Sequence, residues 1–268
     1  MRSQLCAHMN LAETLEIIKP ATLQAGELIL GYLHGDKQIS SKSAQIDLVT
    51  IADKKSEEYL TSFIKEKFPA EGLLAEEGNQ YDSQSGYTWV VDPLDGTVNF
   101  AHGFPFFCVS VALVDDKNIP QLGLVYNPVH RELFTAIRGK GAWLHEQPIR
   151  VSEQNNMQLA LVSTGFPYYR QKVVDALVDR LRKFLLQAGG IRRTGSAALD
   201  LCYVACGRFD AYYEEGLNPW DMGAGVLIIE EAGGKIAKFD GSTADIEVPE
   251  LLASNHHLMH DLVRIFNE

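Results

Sequence analysis

Polar and apolar residues near the start of the chain alternate with the period of a helix. Asn10 followed by Glu13 is typical of a helix start, and apolar residues recur at helical spacing after it. Pro20 is expected to kink or restart this helix. A second helix is predicted to begin near Asp53, because the same period returns there and continues until Pro69 ends it.

Further along, the pattern changes from helical spacing to short β-rich runs. From Tyr87 to about Arg150 these runs are separated by Gly, Pro, Asn and Asp, as in a sheet-building region. Beyond it the sequence predicts a strand in ALVSTGF (160–166), a helix from about Gln171 to Ala188, and alternating strands and helices to the end. Mixed blocks of this kind predict an α/β or α+β protein with helices covering sheets. Periodicity leaves the strand order open.

Length and composition are those of an ordinary globular protein. The chain has 268 residues, of which 46% are hydrophobic and 22% charged, so it can bury a substantial core as one large domain or as two tightly joined lobes. No apolar run approaches the roughly 20 residues that span a bilayer, and the first residues lack a signal-peptide pattern. We therefore expect a cytoplasmic protein without a membrane partner.

Charge and cysteine spacing argue against two kinds of site. The formal net charge is −11, whereas general nucleic-acid binders need Lys and Arg to hold a phosphate backbone. The acidity fits either a site for divalent cations or a solvated surface. The cysteines lack the spacing of zinc ligands, so Cys6, Cys108, Cys202 and Cys206 are predicted to be buried thiols.

The densest chemical signal is the segment WVVDPLDGTVNF, residues 89–100. Its apolar run leads directly into Asp92 and Asp95, which places two carboxylates on a turn at the carboxyl end of a strand. Such oxygens are the ligands that Mg²⁺ prefers. Gly96 lets a phosphate approach the backbone, and the amides of a helix that opens near Thr97 would bind it. Taken alone, the motif fits a tight turn with solvated acids about as well.

Two other segments carry acids that can join this site. LAEEG (74–78) places Glu76 and Glu77 after an apolar stretch, and PWDMGAGVLIIEEAGG (219–234) places Asp221 at the start of a helix. Taken singly, the glutamates are typical of a solvated loop and the aspartate of a helix cap. Their combination with the turn predicts one acidic site.

These three segments together resemble the signatures of the inositol monophosphatase family. That family has a strand leading into an Asp, Pro, hydrophobic, Asp, Gly, Thr turn, here DPLDGTVNF, and a second signature matched by PWDMGAGVLIIEEAGG. The match runs from about residue 25 to the C-terminus. It implies a layered α/β/α/β/α sandwich in one domain over residues 1–268, with a metal-site lobe at about 1–150 and a substrate-side lobe at about 151–268. Intermediate landmarks are DLVTIAD (47–53), GKGAW (139–143), STGFP (163–167), RRTGSAALDL (192–201) and FDAYYEE (209–215).

The resemblance also implies a site for two or three Mg²⁺ ions. Glu77 would contact a third, weaker ion as well as the first. Glu76 would be a neighbour of the site rather than a ligand, and Lys42 would lie near the metals. The ligands that it implies are Glu77, Asp92 and the carbonyl of Leu94 for the first ion, and Asp92, Asp95 and Asp221 for the second.

Roles for phosphate and alcohol are implied in the same way. Gly96 and Thr97 would bind the phosphate through backbone amides. The Thr97 hydroxyl, paired with Asp53, would orient and deprotonate the attacking water, with Glu77 as the third catalytic residue. The residues implied to contact the substrate alcohol are Asp95, Gly195, Ser196, Ala197 and Glu214, with Asp221 beside them.

The implied activity is hydrolysis of a small phosphorylated alcohol, with myo-inositol phosphate as the first choice. No His or Cys nucleophile lies inside a motif, so we expect direct attack of water without a phospho-enzyme. The resemblance further implies a homodimer and inhibition by Li⁺.

Alternative functions for the same segments stay open. Fructose bisphosphatase, 3′-phosphoadenosine phosphate phosphatase and histidinol phosphatase activities use the same metal turn. A regulatory protein associated with RNA or transcription that kept the fold belongs to a different class. A haloacid dehalogenase phosphatase is excluded, because Pro93 stands where that chemistry needs a nucleophilic aspartate.

Overall fold

A computed structural model describes residues 9–35, 37–42 and 47–268, so Cys6 lies outside the described residues. The helices of the described part are α1 (Leu11–Tyr32), α2 (Ile51–Lys67), α3 (Thr97–His102), α4 (Val174–Gln187), α5 (Ala197–Ala205), α6 (Pro219–Glu231) and α7 (Met259–Asn267). The strands are β1 (Ser40–Ser41), β2 (Leu48–Val49), β3 (Gly72–Ala75), β4 (Gln80–Tyr81), β5 (Thr88–Asp95), β6 (Cys108–Val114), β7 (Pro120–Asn127), β8 (Glu132–Ile137), β9 (Gly141–Leu144), β10 (Gln147–Pro148), β11 (Leu161–Thr164), β12 (Gly190–Arg192), β13 (Ala211–Glu215), β14 (Lys235–Ala237) and β15 (Glu250–Ser254).

The strands form two large sheets and one short hairpin. The first sheet has eight strands in the order β10-β9-β8-β7-β6-β5-β3-β4, and the second has five in the order β12-β11-β13-β15-β14. β1 and β2 pair with each other. Most pairs are antiparallel, but β3 runs parallel to β5, and β11 runs parallel to both β12 and β13.

Three hydrophobic cores separate the layers of helix and sheet. α1 and α2 cover one face of the eight-stranded sheet around Ile18, Leu60 and Trp89. α5 and α6 lie between the two sheets, and α4 and α7 cover the far face of the five-stranded sheet around Phe184 and Leu262. The expected α/β/α/β/α order of layers is therefore confirmed.

β5 contributes to two of these cores because its side chains alternate between the faces of the sheet. Trp89 and Val91 pack under α1 and α2, whereas Val90 packs against the helices between the sheets. A strand covered on both faces has no solvent side, which explains the continuous apolar run before the acidic turn. The turn that follows thus extends from one of the most buried parts of the fold.

Two sequence expectations for the helices differ from the structure. The restart expected at Pro20 is wrong, since α1 continues through it. Pro20 is exposed while Ile18 and Ala21 are buried against the sheet, so packing on both sides offsets the one missing backbone hydrogen bond. The helix expected from about Gln171 begins later, at Val174, after a separate 3₁₀ turn.

Other expectations are borne out or stay open. Cys108 and Cys202 are buried, and Cys206 is half-buried. Within the described ranges, no helix is long and apolar enough to span a bilayer. The division into lobes at about residue 150 stays a prediction, and α6, from the later part of the chain, packs against strands of the earlier eight-stranded sheet.

Candidate active site

The carboxyl end of β5 forms a turn that carries two of the predicted carboxylates. The pairing of β5 with β6 shifts register between Asp92 and Asp95, and the Leu94 N–H donates to Asp92 Oδ1 at 2.9 Å within the bulge. Both carboxylates are buried. Gly96 follows with a φ of 92° and caps α3. A Cβ at this position would lie 3.0 Å from the Phe106 carbonyl oxygen, so the turn requires glycine.

Asp95 is fixed by the start of α5. The Ser196 hydroxyl donates to Asp95 Oδ2 at 2.7 Å, and the Ala198 N–H donates to the same oxygen at 2.8 Å. These donors favour the ionised carboxylate, as does the amino end of a helix. The single hydroxyl proton of Ser196 is thus directed at Asp95, and the structure places this serine behind Asp95 instead of on the cavity wall.

Thr97 and Asp53 lie together, as the family resemblance implied. Thr97 Oγ1 lies 2.9 Å from Asp53 Oδ1 and 3.0 Å from the Leu94 carbonyl oxygen, so its one proton can be donated to either. Asp53 Oδ2 accepts from the N–H and the hydroxyl of Thr50 in a capping box that begins α2. Burial raises the pKa of Asp53 to about 6 against these hydrogen bonds, so Asp53 is mostly ionised at neutral pH.

α2 supports the site through two buried polar residues that the sequence analysis missed. The Ser56 hydroxyl donates to the Pro93 carbonyl oxygen at 2.8 Å, which holds the turn after β5. The Glu57 carboxylate accepts from the Glu77 N–H at 2.7 Å and from the Asn79 amide group at 2.7 Å, which holds the turn after β3. Both acidic turns are therefore fastened to the same helix.

The register of the parallel strands decides which glutamate faces the site. β3 pairs with β5 so that Ala75 lies opposite Val91, and the Glu76 N–H donates to the Val91 carbonyl oxygen at 3.2 Å. One step further in this register, Glu76 lies opposite Asp92. Residues at the same level of neighbouring strands project to the same face of a sheet. Glu76 accordingly lines the cavity that contains Asp92.

Glu77, the residue predicted as a ligand, projects differently. Its carboxylate lies 2.6 Å from Lys42 Nζ and does not line the cavity. Lys42 Nζ also lies 2.8 Å from Glu76, so the predicted position of Lys42 near the acidic site is what the structure has. Lys42 therefore bridges the two glutamates of the turn after β3, and of these two only Glu76 lines the cavity with the aspartates.

Asp221 reaches the cavity from the first turn of α6. Asn218 caps this helix, and its N–H donates to Asp221 Oδ2 at 2.7 Å, so the aspartate closes a capping box and is not itself the cap. Burial, followed by repulsion from Glu76, holds the pKa values of Asp92 and Asp221 well above their usual range. Burial also raises the pKa of Asp95 to about 6, although the hydrogen bonds from α5 oppose the rise.

This set of carboxylates has the chemistry of a site for a hard divalent cation. Among the described residues, Asp92, Asp95 and Asp221 have no Lys, Arg or His within ion-pair distance. Oxygen-only donors with unbalanced negative charge suit Mg²⁺. No group of three or more His, Cys, Asp or Glu side chains in the described ranges is drawn tightly enough to hold an ion in this conformation. The fit is therefore one of donor type and charge, with the Leu94 carbonyl at the same cavity.

The opposite wall of the cavity comes from the five-stranded sheet and α5. Gly195, Ala197 and Glu214 line it, and the cavity has a volume of about 620 Å³. The Tyr212 hydroxyl donates to Glu214 Oε2 at 2.6 Å, while burial raises the pKa of Glu214 to about 7. A Cβ at Gly165 would overlap the Glu214 carboxylate, so glycine leaves this side chain its place.

Most of the predicted site residues meet at this one cavity. Three do not line it: Asp53 lies behind Thr97, Ser196 lies behind Asp95, and Glu77 lies against Lys42. The predicted residues that line the cavity are Asp92, Leu94, Asp95, Gly96, Thr97, Gly195, Ala197, Glu214 and Asp221.

The layered fold and the acidic cavity are those of a phosphomonoester hydrolase. The chain belongs to the inositol monophosphatase family, whose model matches residues 10–268. Inositol monophosphatase 3 from Solanum lycopersicum is 41% identical over 266 residues, which cover 97% of this chain and 98% of that protein.

Two further comparisons agree with this assignment. The structure of inositol monophosphatase from Anabaena sp. PCC 7120 superimposes with a TM-score of 0.87 at 40% identity and covers 97% of each chain. The Nus factor SuhB from Haemophilus influenzae is 39% identical over 251 residues, which cover 93% of this chain and 94% of that protein. The family thus includes relatives that are named for different roles.

Proposed function

We propose that this protein is a Mg²⁺-dependent inositol monophosphatase that hydrolyses myo-inositol phosphate to myo-inositol and phosphate. The observation that carries the proposal is the convergence of Glu76, Asp92, Asp95 and Asp221 on one cavity beside the backbone of Gly96. Names of relatives from plants and cyanobacteria support the choice of substrate. The reaction class, hydrolysis of a phosphomonoester, is that of the family.

In this proposal the acidic wall holds two or three Mg²⁺ ions, and Glu76 replaces the predicted Glu77 as a ligand. Asp92, Asp95, Asp221 and the Leu94 carbonyl oxygen complete the ligand set. When bound, such ions neutralise phosphate charge, lower the pKa of water and stabilise the departing alkoxide. Glu77 holds Lys42 beside Glu76, which places one positive charge next to the acidic wall.

The protein's own groups then position the reactants. The backbone amides of Gly96 and Thr97 bind the phosphate oxygens. The Thr97 hydroxyl orients the attacking water, and Asp53 accepts a proton through it. With a pKa of about 6, Asp53 is a base that is mostly deprotonated at neutral pH and still able to take up a proton.

Alcohol recognition falls to the opposite wall. Glu214 accepts from a substrate hydroxyl, and the backbone of Gly195 and Ala197 contributes further contacts. Ser196 acts through Asp95, which it orients by its 2.7 Å hydrogen bond. We further propose a cytoplasmic homodimer that is inhibited by Li⁺, in keeping with the resemblance from which these properties were inferred.

A substrate panel tests the proposal directly. Purified protein with Mg²⁺ should release phosphate from inositol 1-phosphate faster than from fructose 1,6-bisphosphate, 3′-phosphoadenosine 5′-phosphate or histidinol phosphate. A higher kcat/KM for one of the other three would assign that activity instead. If none of the four esters releases phosphate with Mg²⁺, a regulatory function would take the place of the phosphatase. The relatives do not favour that function, although one of them is named as a Nus factor.

Direct attack of water has its own test. Hydrolysis of an ester made chiral at phosphorus with oxygen isotopes should invert the configuration, because a single in-line attack by water inverts it once. Net retention would indicate two displacements through a phospho-enzyme and would contradict this route.

A further inference from the structure

The alcohol wall of the cavity carries a cation that the proposed reaction does not use. Arg193 lies between β12 and α5 and lines the cavity together with Gly195 and Glu214. Its guanidinium packs against Phe166, 5.8 Å from the ring centroid. In the described part of the chain, no carboxylate lies within ion-pair distance of Arg193. Its N–H groups are therefore available to a ligand.

Arg193 is exposed, and the fold leaves space for its guanidinium and holds the backbone beside it. Gly195 has a φ of 93°, and a Cβ there would overlap Arg193 Nη1, so the glycine makes the space in which the guanidinium lies. Thr194, which lies between Arg193 and Gly195, is held by hydrogen bonds of its side chain and of its backbone. Its hydroxyl donates to the buried Asp200 at 2.5 Å, and its carbonyl oxygen accepts from the Asn99 amide group at 2.8 Å. The backbone that carries Arg193 is thus held by both neighbouring helices.

Glu214 supplies the matching acceptor on the same wall. The Tyr212 hydroxyl donates to Glu214 Oε2. Burial raises the pKa of Glu214, and the nearby charge of Arg193 opposes part of this rise. The two side chains are close enough to interact through the field, yet they do not form an ion pair. A donor and an acceptor on one wall of the cavity fit an alcohol with more than one hydroxyl, because each hydroxyl can accept one hydrogen bond and donate another.

We propose that Arg193 is a substrate-contacting residue that selects phosphate esters of polyols. Its guanidinium donates to the oxygen of one hydroxyl of the alcohol, and Glu214 accepts from another hydroxyl. This inference rests on the proposed phosphatase function and adds Arg193 to the residues that would recognise the hydroxyls of its substrate. Rings or chains without hydroxyls leave both side chains without partners, which disfavours their binding.

The test compares two esters of the same ring: inositol 1-phosphate, and cyclohexyl phosphate, which lacks the hydroxyls. The wild type should prefer the inositol ester in kcat/KM. Arg193→Ala should reduce this preference about tenfold or more through a fall on the inositol ester. Arg150→Ala removes the same charge from an exposed arginine outside the cavity and should leave the preference unchanged. An unchanged preference in Arg193→Ala would overturn the inference.

A second measurement separates shared from independent contacts. If Arg193 and Glu214 bind one pair of hydroxyls, Arg193→Ala combined with Glu214→Ala should lose less preference than the sum of the two single losses. Additive losses would overturn the paired contact. If Arg193→Ala does not melt cooperatively near the wild-type Tm, Arg193→Gln is used in its place.

Three further results would overturn the inference, each in a different way. A larger loss in Arg193→Ala on fructose 1,6-bisphosphate than on inositol 1-phosphate would make Arg193 an anion-binding residue and overturn polyol selection. A wild type that hydrolyses neither ring ester with Mg²⁺ would refute the proposed function, and the inference with it. A wild type that hydrolyses both esters equally would refute polyol selection alone.

Discussion

Replacing Glu214 by Gln should stabilise the protein, and the gain should grow as the pH rises. Burial raises the pKa of Glu214 from its ordinary value of 4.5 to about 7. A carboxyl group with a raised pKa in the folded state favours folding only while it holds its proton. This contribution is complete below the pKa of the unfolded state, near 4.5, and is lost as the pH rises through about 7. Gln has the same shape and does not ionise.

The size of the effect follows from the two pKa values. Ionisation of a group with these values costs the folded wild type about 1 kcal/mol at pH 5 and about 3 kcal/mol at pH 8. The Tyr212 hydroxyl can still donate to the amide oxygen of Gln, so the hydrogen bond itself is retained. Glu214→Gln should therefore be more stable than the wild type, and its advantage should increase by about 2 kcal/mol from pH 5 to pH 8.

Urea unfolding followed by circular dichroism measures this difference directly. Both proteins are unfolded at pH 5 and pH 8 in the same buffer with EDTA, so that metal binding does not contribute. Glu16→Gln is a matched control, because Glu16 is an exposed glutamate on α1 that lies outside the cavity. An advantage of Glu214→Gln that is the same at both pH values would refute the reasoning from burial. The same variant should bind inositol 1-phosphate more weakly, since the amide is a poorer acceptor than the carboxylate.

Three other predictions concern the two walls of the cavity. Glu76→Gln should lower kcat/KM about a hundredfold or more and weaken Mg²⁺ binding in calorimetry, whereas Glu77→Gln should do less; the reverse order would restore Glu77 as the ligand. Asp92→Asn should abolish most phosphate release, by about a thousandfold, while its Tm in EDTA stays equal to or above that of the wild type because buried like charges are relieved; near-normal turnover would contradict the metal site. Gly165→Ala should displace the Glu214 carboxylate and raise KM for inositol 1-phosphate with little change in Tm, and an unchanged KM would argue against a contact between Glu214 and the substrate.

The reaction side of the site could be predicted from sequence because its residues are close together in short motifs. Asp92, Asp95, Gly96 and Thr97 follow one buried strand, and the structure gathers them on one turn. The choice between Glu76 and Glu77 could not be made in this way. It depends on the register of β3 against β5, a long-range pairing that no local pattern fixes.

The supporting residues were missed for a different reason. Ser56 and Glu57 follow Asp53 by about one turn on the face of α2 that is buried. Polar residues on an otherwise apolar helix face were a usable signal, because buried polar groups need partners. Ser196 was expected to contact the substrate, whereas its hydroxyl donates to Asp95 within the protein. This contact depends on the packing of α5 against the end of β5.

The cavity lies where two sheets of separate origin along the chain come together. The turns after β3 and β5 supply most of the acids, while β13 and the segment before α5 supply Glu214, Arg193 and Gly195. Substitutions in the later segment can therefore alter which alcohol is accepted without disturbing the groups that act on phosphorus. Such a separation lets one hydrolytic apparatus serve a series of paralogues, each fitted to its own metabolite by a handful of replacements.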